Sequence, residues 1–189
     1  MEKIILGIDP GSQIMGYGII TSVGKSFRLL DLGVVQTGKH KDGMEKMKVI
    51  FEETSRLIQL HSPTELAIEA PFYGKNIQSM LKLGRAQGIS IAAALNHGLE
   101  VFEYAPRKVK QSITGKGTAT KEQVANMLQR LCDIGELPQY MDATDGLAVA
   151  VCHFFQNGMP APSKGASTKS NKKYGSWESF VSDNKTRLK

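Results

Sequence analysis

The sequence predicts one α/β domain built on a mixed five-stranded sheet flanked by helices. Strand-like segments come first in the chain and amphipathic helix-like segments follow, in the order βββαβαβαα. The 189 residues, of which 41% are hydrophobic, suffice to bury one core and are few for two. No apolar run reaches the ~20 residues of a membrane span, so a soluble protein with no membrane partner is expected.

The first three predicted strands form an antiparallel meander. Their segments are KIILGID, GYGIITSV and SFRLLDLGVVQTG, and turn residues separate them at Pro10-Gly11-Ser12 and at Gly24-Lys25. A helix is predicted over MEKMKVIFEETSRLIQLH, because its apolar residues recur at helical spacing and Pro63 follows.

The second half of the chain alternates buried strands with helices. The strands ELAIEA and EVFEY flank a helix through NIQSMLKLGRAQGISIAAALNHG. Two further helices are predicted over TKEQVANMLQRLCDI and DATDGLAVAVCHFFQ. Gly84 and Gly88 lie four residues apart in the helix between the two strands, so one face of that helix carries little side-chain volume. Such a face suits close packing on the sheet or against a second subunit.

The positive charge is concentrated at the C-terminus. The formal net charge is +6, and residues 160–189 carry 7 basic and 2 acidic side chains, a balance of +5. This segment begins with a stretch rich in Pro, Ser, Gly and Lys, so residues 1–158 are predicted to form the folded domain and residues 159–189 a flexible tail. Such a tail is either a solvated segment or an arm that binds polyanions.

The two cysteines favour a reducing, cytoplasmic location. Cys132 and Cys152 both lie in apolar, helix-like stretches. The N-terminal residues show no secretory signal pattern.

Four acidic residues occupy positions where α/β proteins bind ligands. Asp9 and Glu69 end apolar strands, and Asp142 and Asp145 open the last helix three residues apart. Ligand crevices form outside strand ends, and helical residues i and i+3 share a face, so the four acids are expected to converge. Carboxylates packed together repel one another unless they are protonated or bind a cation, and their hard oxygens suit Mg²⁺ or Mn²⁺.

Each acid also has a purely structural interpretation. Asp9 with Pro10 and Gly11 suits a tight turn, and Glu69 suits a strand end that meets solvent or a lysine. Asp142 suits a helix N-cap, with Asp145 as a favourable charge in the first turn. Other chemistries have little support, because the sequence has no zinc-type His/Cys spacing, no Gly-Lys-Ser/Thr phosphate loop and no serine nucleophile elbow.

Four segments resemble, in order and spacing, those of the bacterial Holliday-junction resolvases of the RuvC family. They are GIDPGSQIMGYGII, LAIEAPFYGKNIQSMLKLGRAQG, EYAPRKVKQSITGKGTATKEQV and DATDGLAVAVCH. The resemblance implies an RNase H-like fold and a homodimer that cuts four-way DNA junctions by paired symmetric nicks. It also implies the branch-migration proteins RuvA and RuvB as partners.

The resemblance places the family's catalytic, metal-binding acids on Asp9, Glu69, Asp142 and Asp145. Two Mg²⁺ ions per active site are expected, with Mn²⁺ able to substitute. Two metals supply what phosphodiester hydrolysis needs, namely an activated water, neutralised charge on the phosphate and a stabilised leaving oxygen. Asp9 is then expected to bridge the two ions.

The resemblance also identifies candidate DNA contacts. Lys110 and Lys121 align with DNA-contacting lysines of the family, and Arg107 and Lys116 lie close enough in sequence to extend the patch; a solvated basic face is the alternative. An aromatic residue at the Phe72 position stacks on a base near the strand exchange point in the family. The neighbouring Tyr73 suits base contact and core packing equally well.

Three other functions fit parts of the sequence. A sugar-kinase or actin-like ATPase also begins with a strand and a turn like GIDPGS. Such enzymes use two lobes and a second phosphate loop, whereas this chain is too short for two lobes and has no such loop. A nuclease of the same fold acting on structured RNA would share the acids and lack the aromatic contact. A non-catalytic nucleic-acid-binding module would keep the basic surface, yet it has little need for four converging acids.

Overall fold

The computed structural model describes residues 2–71 and 76–158, in which five strands form one mixed sheet. The strands are β1 (Glu2–Asp9), β2 (Ile14–Val23), β3 (Ser26–Gln36), β4 (Glu65–Glu69) and β5 (Glu100–Tyr104). Their order is β3-β2-β1-β4-β5, with β1, β2 and β3 antiparallel and with β4 parallel to both β1 and β5. The predicted meander and mixed sheet are therefore present.

Five helices accompany this sheet in the described residues. They are α1 (Gly43–His61), α2 (Ile77–Asn96), α3 (Pro106–Thr114), α4 (Lys121–Leu131) and α5 (Asp142–Gly158). The predicted element order lacked α3, and this was wrong. The helix has only 9 residues and buries only Val109 and Ile113, so its amphipathic pattern is too short to stand out among basic residues.

Helices cover both faces of the sheet, and the alternation of side chains along β1 shows how. Ile5 packs into a core with the apolar residues of α3, α4 and α5. Leu6 and Ile8 point to the opposite face and pack with buried residues of α1 and α2. The central strands are therefore buried on both sides, which explains their near-continuous apolar sequences.

Among the described helices, none combines the length and apolar character that crossing a membrane requires. The predicted basic tail, residues 159–189, lies outside the described residues. The division of the chain into a domain and a tail therefore stays a prediction.

Candidate active site

Two strand ends bring Asp9 and Glu69 to the same edge of the sheet. Strands β1 and β4 are parallel neighbours with Ile8 paired to Ile68, so the acids that follow these residues emerge side by side. Both acids line a pocket of about 150 Å³, together with Leu83 of α2. The opening of a crevice at the carboxyl ends of the strands is typical of α/β folds.

Backbone contact between α5 and the sheet brings the other two acids to this edge. A Cβ atom built on Gly16 would lie 1.7 Å from the carbonyl oxygen of Asp142, and one built on Gly146 would lie 2.5 Å from Cα of Tyr17. Glycine at both positions therefore allows the helix to rest directly on β2. Since Gly16 pairs with Asp9 across β1 and β2, the start of α5 lies next to Asp9.

Three carboxylates converge as a result. Asp9, Asp142 and Asp145 each offer an oxygen within 4.8 Å of the oxygens offered by the other two, and all three residues are partly buried. Three hard oxygen donors at this separation form a set that could hold a divalent cation. Glu69 lies outside this group of three but close enough for the charges of Asp9 and Asp145 to raise its pKa.

The first turn of α5 shows that Asp142 is not the helix cap. The carbonyl oxygen of Met141 accepts the backbone N–H of Asp145 at 3.2 Å and that of Thr144 at 2.9 Å. The residue whose carbonyl accepts the first i→i−4 bond of an α-helix is its N-cap, so Met141 holds that position and Asp142 is the first helical residue. The carboxylate of Asp142 is thus available to the acidic cluster.

Burial and mutual repulsion disfavour the ionised forms of Asp9 and Glu69 when no cation is bound. Burial raises the pKa of Asp9 to about 7, with further contributions from the charges of Asp145 and Asp142. Burial, followed by the charges of Asp9 and Asp145, raises the pKa of Glu69 to about 8. Near neutral pH, Asp9 and Glu69 are therefore partly protonated, and a bound divalent cation would favour their ionised forms.

Lys121 lies within the acidic cluster. Its Nζ atom forms an ion pair with Oδ2 of Asp145, and it follows Thr120, whose side chain shares a capping box with Gln123 at the start of α4. The charge of Lys121 acts to lower the pKa of Asp9, Glu69 and Asp145. The sequence predicted this lysine as a DNA contact and gave no sign of its ion pair, because nothing in the sequence indicates a contact between side chains on different helices that are 24 positions apart.

The other predicted DNA contacts divide into three groups. Lys110 on α3 lies near the acids, since its charge lowers the pKa of Glu69 and of Asp145. Arg107 and Lys116 are exposed, and Lys116 lines a separate pocket of about 310 Å³. Phe72 and Tyr73 lie outside the described residues.

Comparison with known proteins finds the same family that the sequence motifs resemble. The family model of "Crossover junction endodeoxyribonuclease RuvC" matches residues 5–153. A crossover junction endodeoxyribonuclease RuvC of Christiangramia forsetii is 50% identical over 188 residues, covering 100% of this chain and 94% of that protein. A crossover junction endodeoxyribonuclease RuvC of Bacteroides fragilis is 49% identical over 190 residues, covering 100% of this chain and 97% of that protein.

A solved structure extends the match to three dimensions. Thermus thermophilus RuvC, in complex with a Holliday junction substrate, superposes with a TM-score of 0.77 at 31% identity, covering 83% of this chain and 96% of that one. The predicted RNase H-like fold is thereby confirmed. The match over residues 5–153 and the acids at the edge of the sheet lead to the same conclusion: the chain belongs to the RuvC family of crossover junction endodeoxyribonucleases.

Proposed function

We propose that this chain resolves four-way (Holliday) DNA junctions by metal-dependent hydrolysis of phosphodiester bonds. The observation that carries this proposal is the convergence of Asp9, Asp142 and Asp145 within 4.8 Å beside Glu69. The proposal draws further support from the family of the chain and from the junction bound by the Thermus thermophilus relative.

The four acids are proposed to hold two Mg²⁺ ions, with Mn²⁺ able to substitute. Carboxylate oxygens are the ligands that these hard cations prefer. When bound, such ions activate water, neutralise charge on the scissile phosphate and stabilise the leaving oxygen. Asp9 is the proposed shared ligand, because its charge acts on Glu69 on one side and its carboxylate meets Asp142 and Asp145 on the other.

Two lysines are proposed to orient the scissile phosphate. Lys121 and Lys110 carry the positive charges that act on the acidic cluster, and Lys121 already contacts Asp145. An ammonium group beside the acids can donate hydrogen bonds to phosphate oxygens that the carboxylates alone would repel. Arg107 and Lys116 stay predicted DNA contacts that extend this basic patch, and Phe72 and Tyr73 stay predicted contacts to DNA bases.

Paired symmetric nicks require two active sites related by a two-fold axis, so we propose a homodimer. The surface proposed to join the subunits is an apolar stripe on α2 formed by Ile77, Leu81, Gly84, Gly88 and Leu95, here called the α2 stripe. Ile77, Leu81 and Leu95 are 69%, 55% and 59% exposed. A Cβ built on Gly84 or Gly88 would meet no described atom outside its own helix within 4 Å. The thin face of α2 therefore points away from the sheet, at a spacing close to a coiled-coil seam.

RuvA and RuvB are proposed as partners in junction processing on the basis of family membership alone. A cytoplasmic location is proposed on the same basis, since the relatives are bacterial proteins that act on DNA.

Cleavage of a synthetic four-way DNA junction tests the function. The wild-type chain should nick two opposing strands symmetrically in Mg²⁺, and it should leave linear duplex DNA and structured RNA of equal length uncut. Cleavage of the RNA in preference to the junction would favour the RNA-acting alternative.

The Asp9→Asn variant tests the role of the acids. We expect it to lose at least about 100-fold in cleavage rate while it still binds the junction, because affinity comes mainly from cations on phosphates. Asp133→Asn is a matched control, since Asp133 is exposed with a φ of 52° that Asn adopts equally well. Wild-type cleavage by Asp9→Asn would overturn the metal-ligand assignment.

A further inference from the structure

A groove of about 190 Å³ lies between the start of α1 and the face of α2, on the side of the sheet opposite to α5. Four cationic side chains line it, and the described residues of its wall include no carboxylate. Met47, Ile50 and Ala86 form an apolar floor. We call this surface the basic groove; its cations are Lys41, Lys46, Lys82 and Arg85.

Three of these cations lack an acidic partner in the described part of the chain. Lys41, Lys82 and Arg85 are exposed and form no ion pair with a described carboxylate. Elsewhere on α1, by contrast, Lys48 and Arg56 pair with acids of the same helix at 3.7 Å and 2.8 Å. Concentrated positive charge without counter-charge is the electrostatic signature of a surface that binds a polyanion.

The fourth cation connects the groove to the turn that follows β1. Nζ of Lys46 donates to the carbonyl oxygen of Ser12 at 3.3 Å and to Oε1 of Gln13 at 3.4 Å. Both bonds are long, and an ammonium group has three N–H donors, so Lys46 retains the capacity to bind an anion.

The basic groove adjoins the acidic cluster. Ser12 and Gln13 line the groove and follow Asp9 by only three and four residues. Leu83, which lies between Lys82 and Arg85 in sequence, lines the pocket that holds Asp9. Three residues of extended chain span at most about 11 Å, so Ser12 lies within that distance of Asp9.

We propose that the basic groove binds the phosphate backbone of the DNA arm next to the cut, at phosphates about one to three nucleotides from the scissile bond. This inference rests on the proposed function. Phosphates along one strand are separated by a rise of about 3.4 Å, so the distance from Asp9 to the groove corresponds to a few nucleotides. The cations offset the repulsion between DNA and the acids, and the apolar floor suits the sugar faces.

Neutralising two groove cations tests the proposal. In Lys82→Gln/Arg85→Gln, the slope of log affinity against log salt should become shallower by up to about 1.8, because each phosphate contact contributes about 0.9. Junction affinity in 0.1 M salt should fall about tenfold. Both side chains are exposed, so the melting temperature should stay within a degree or two of wild type.

Lys25→Gln/Arg28→Gln is the matched control. It removes the same charge from exposed residues of the β2–β3 hairpin. This hairpin pairs with the start of β1, whereas Asp9 ends that strand. Equal slopes and affinities for the two double variants would mean that net charge alone matters, and the inference would be overturned.

Neutral phosphates locate the contact along the DNA. A single methylphosphonate placed one, two or three nucleotides from the scissile bond should weaken binding of wild-type protein and have little effect on Lys82→Gln/Arg85→Gln. This non-additivity is the signature of a direct contact. Purely additive losses at every position would contradict the proposal.

The two proposals fail in different ways. If wild-type protein does not cut the junction, the proposed function is wrong, whatever the groove variants do. If wild-type protein cuts the junction and the groove variants match the Lys25 and Arg28 control, only the further inference is wrong.

Discussion

Nε2 of His153 lies 2.8 Å from Oε2 of Glu65, although 88 positions separate the two residues in the sequence. His153 is completely buried and Glu65 is 4% exposed. Tyr104 Oη lies 2.6 Å from Nδ1 of the same histidine, and Lys3 forms an ion pair with the other oxygen of Glu65. This polar network joins β1, β4, β5 and α5, which include every element that carries one of the four acids.

The pKa shifts in this network define its protonation state. Burial lowers the pKa of His153 and raises the pKa of Tyr104 to about 12. Burial acts to raise the pKa of Glu65, but hydrogen bonds from Lys3 and His153 bring it below its usual value. A neutral His153 therefore accepts the O–H of Tyr104 at Nδ1 and donates its Nε2–H to an ionised Glu65.

Removing the histidine should destabilise the fold. We expect His153→Ala to lower the free energy of unfolding by about 3–5 kcal/mol, because it leaves a cavity in the core and removes the buried hydrogen bonds to Glu65 and Tyr104. Urea denaturation monitored by circular dichroism measures the change. Lys3→Gln is the comparison: the Lys3 side chain is 50% exposed, so its loss should be about 1 kcal/mol or less. Equal losses would contradict a special role for the buried histidine.

The contribution of His153 should depend on pH. Its folded pKa lies below the unfolded value of 6.5, so below pH 6.5 the unfolded chain binds a proton that the folded chain does not. The difference in unfolding free energy between wild type and His153→Ala should be constant above pH 6.5 and shrink as the pH falls below it. Denaturation of both proteins between pH 8 and pH 5 measures this. A difference that grows in acid would mean that the folded histidine is charged.

Asp142→Asn should separate metal binding from fold stability. Asp142 is not a cap, so the amide should leave the melting temperature in EDTA unchanged or raise it through weaker repulsion among the acids. Cleavage should fall by about 100-fold or more, because a neutral oxygen is a poor ligand for a hard cation. The measurement is a Mg²⁺ titration of cleavage rate beside thermal melts. Wild-type rates across the titration would remove Asp142 from the site.

A charge in the α2 stripe should separate the subunits. We expect Leu81→Glu to convert a dimer into a folded monomer, since Leu81 is 55% exposed within one subunit and its replacement does not disturb the core. Sedimentation velocity with circular dichroism measures both properties. Leu60→Glu, at a site on α1 that is 65% exposed, is the control and should stay dimeric. Dissociation of both variants, or of neither, would argue against an interface at the α2 stripe.

Deletion of residues 160–189 should reduce junction affinity and make its salt dependence shallower, because the segment carries a charge of +5. If the segment is a mobile arm, the melting temperature should change by no more than a degree or two. Filter binding at several salt concentrations, with thermal melts, measures both effects. A large drop in melting temperature would show that residues 160–189 pack on the domain.

The positions of Asp9 and Glu69 were predictable because local rules govern them. Each acid ends an apolar strand, and parallel strands open a crevice at their carboxyl ends. Asp142 and Asp145 share a helix face by their spacing alone. Family resemblance then connected the four acids, since the motifs kept their order.

Contacts between distant elements were not predictable from the sequence. Lys121 reaches Asp145 only because α4 packs beside α5, and His153 meets Glu65 only because α5 crosses β4. In the sequence both look like ordinary residues on helices. The short helix α3 was missed for a related reason, since only Val109 and Ile113 reveal its buried side.

The direct contact between Gly16 and Gly146 makes the geometry of the acidic cluster insensitive to side-chain volumes in the core. Where side chains separate a helix from a sheet, every change in their volume moves the two elements apart or together. Here main-chain atoms touch directly, so bond lengths and atomic radii fix the separation of Asp9 from the start of α5. Volume changes in the apolar core on either face of the sheet are therefore expected to leave the spacing of the carboxylates unchanged.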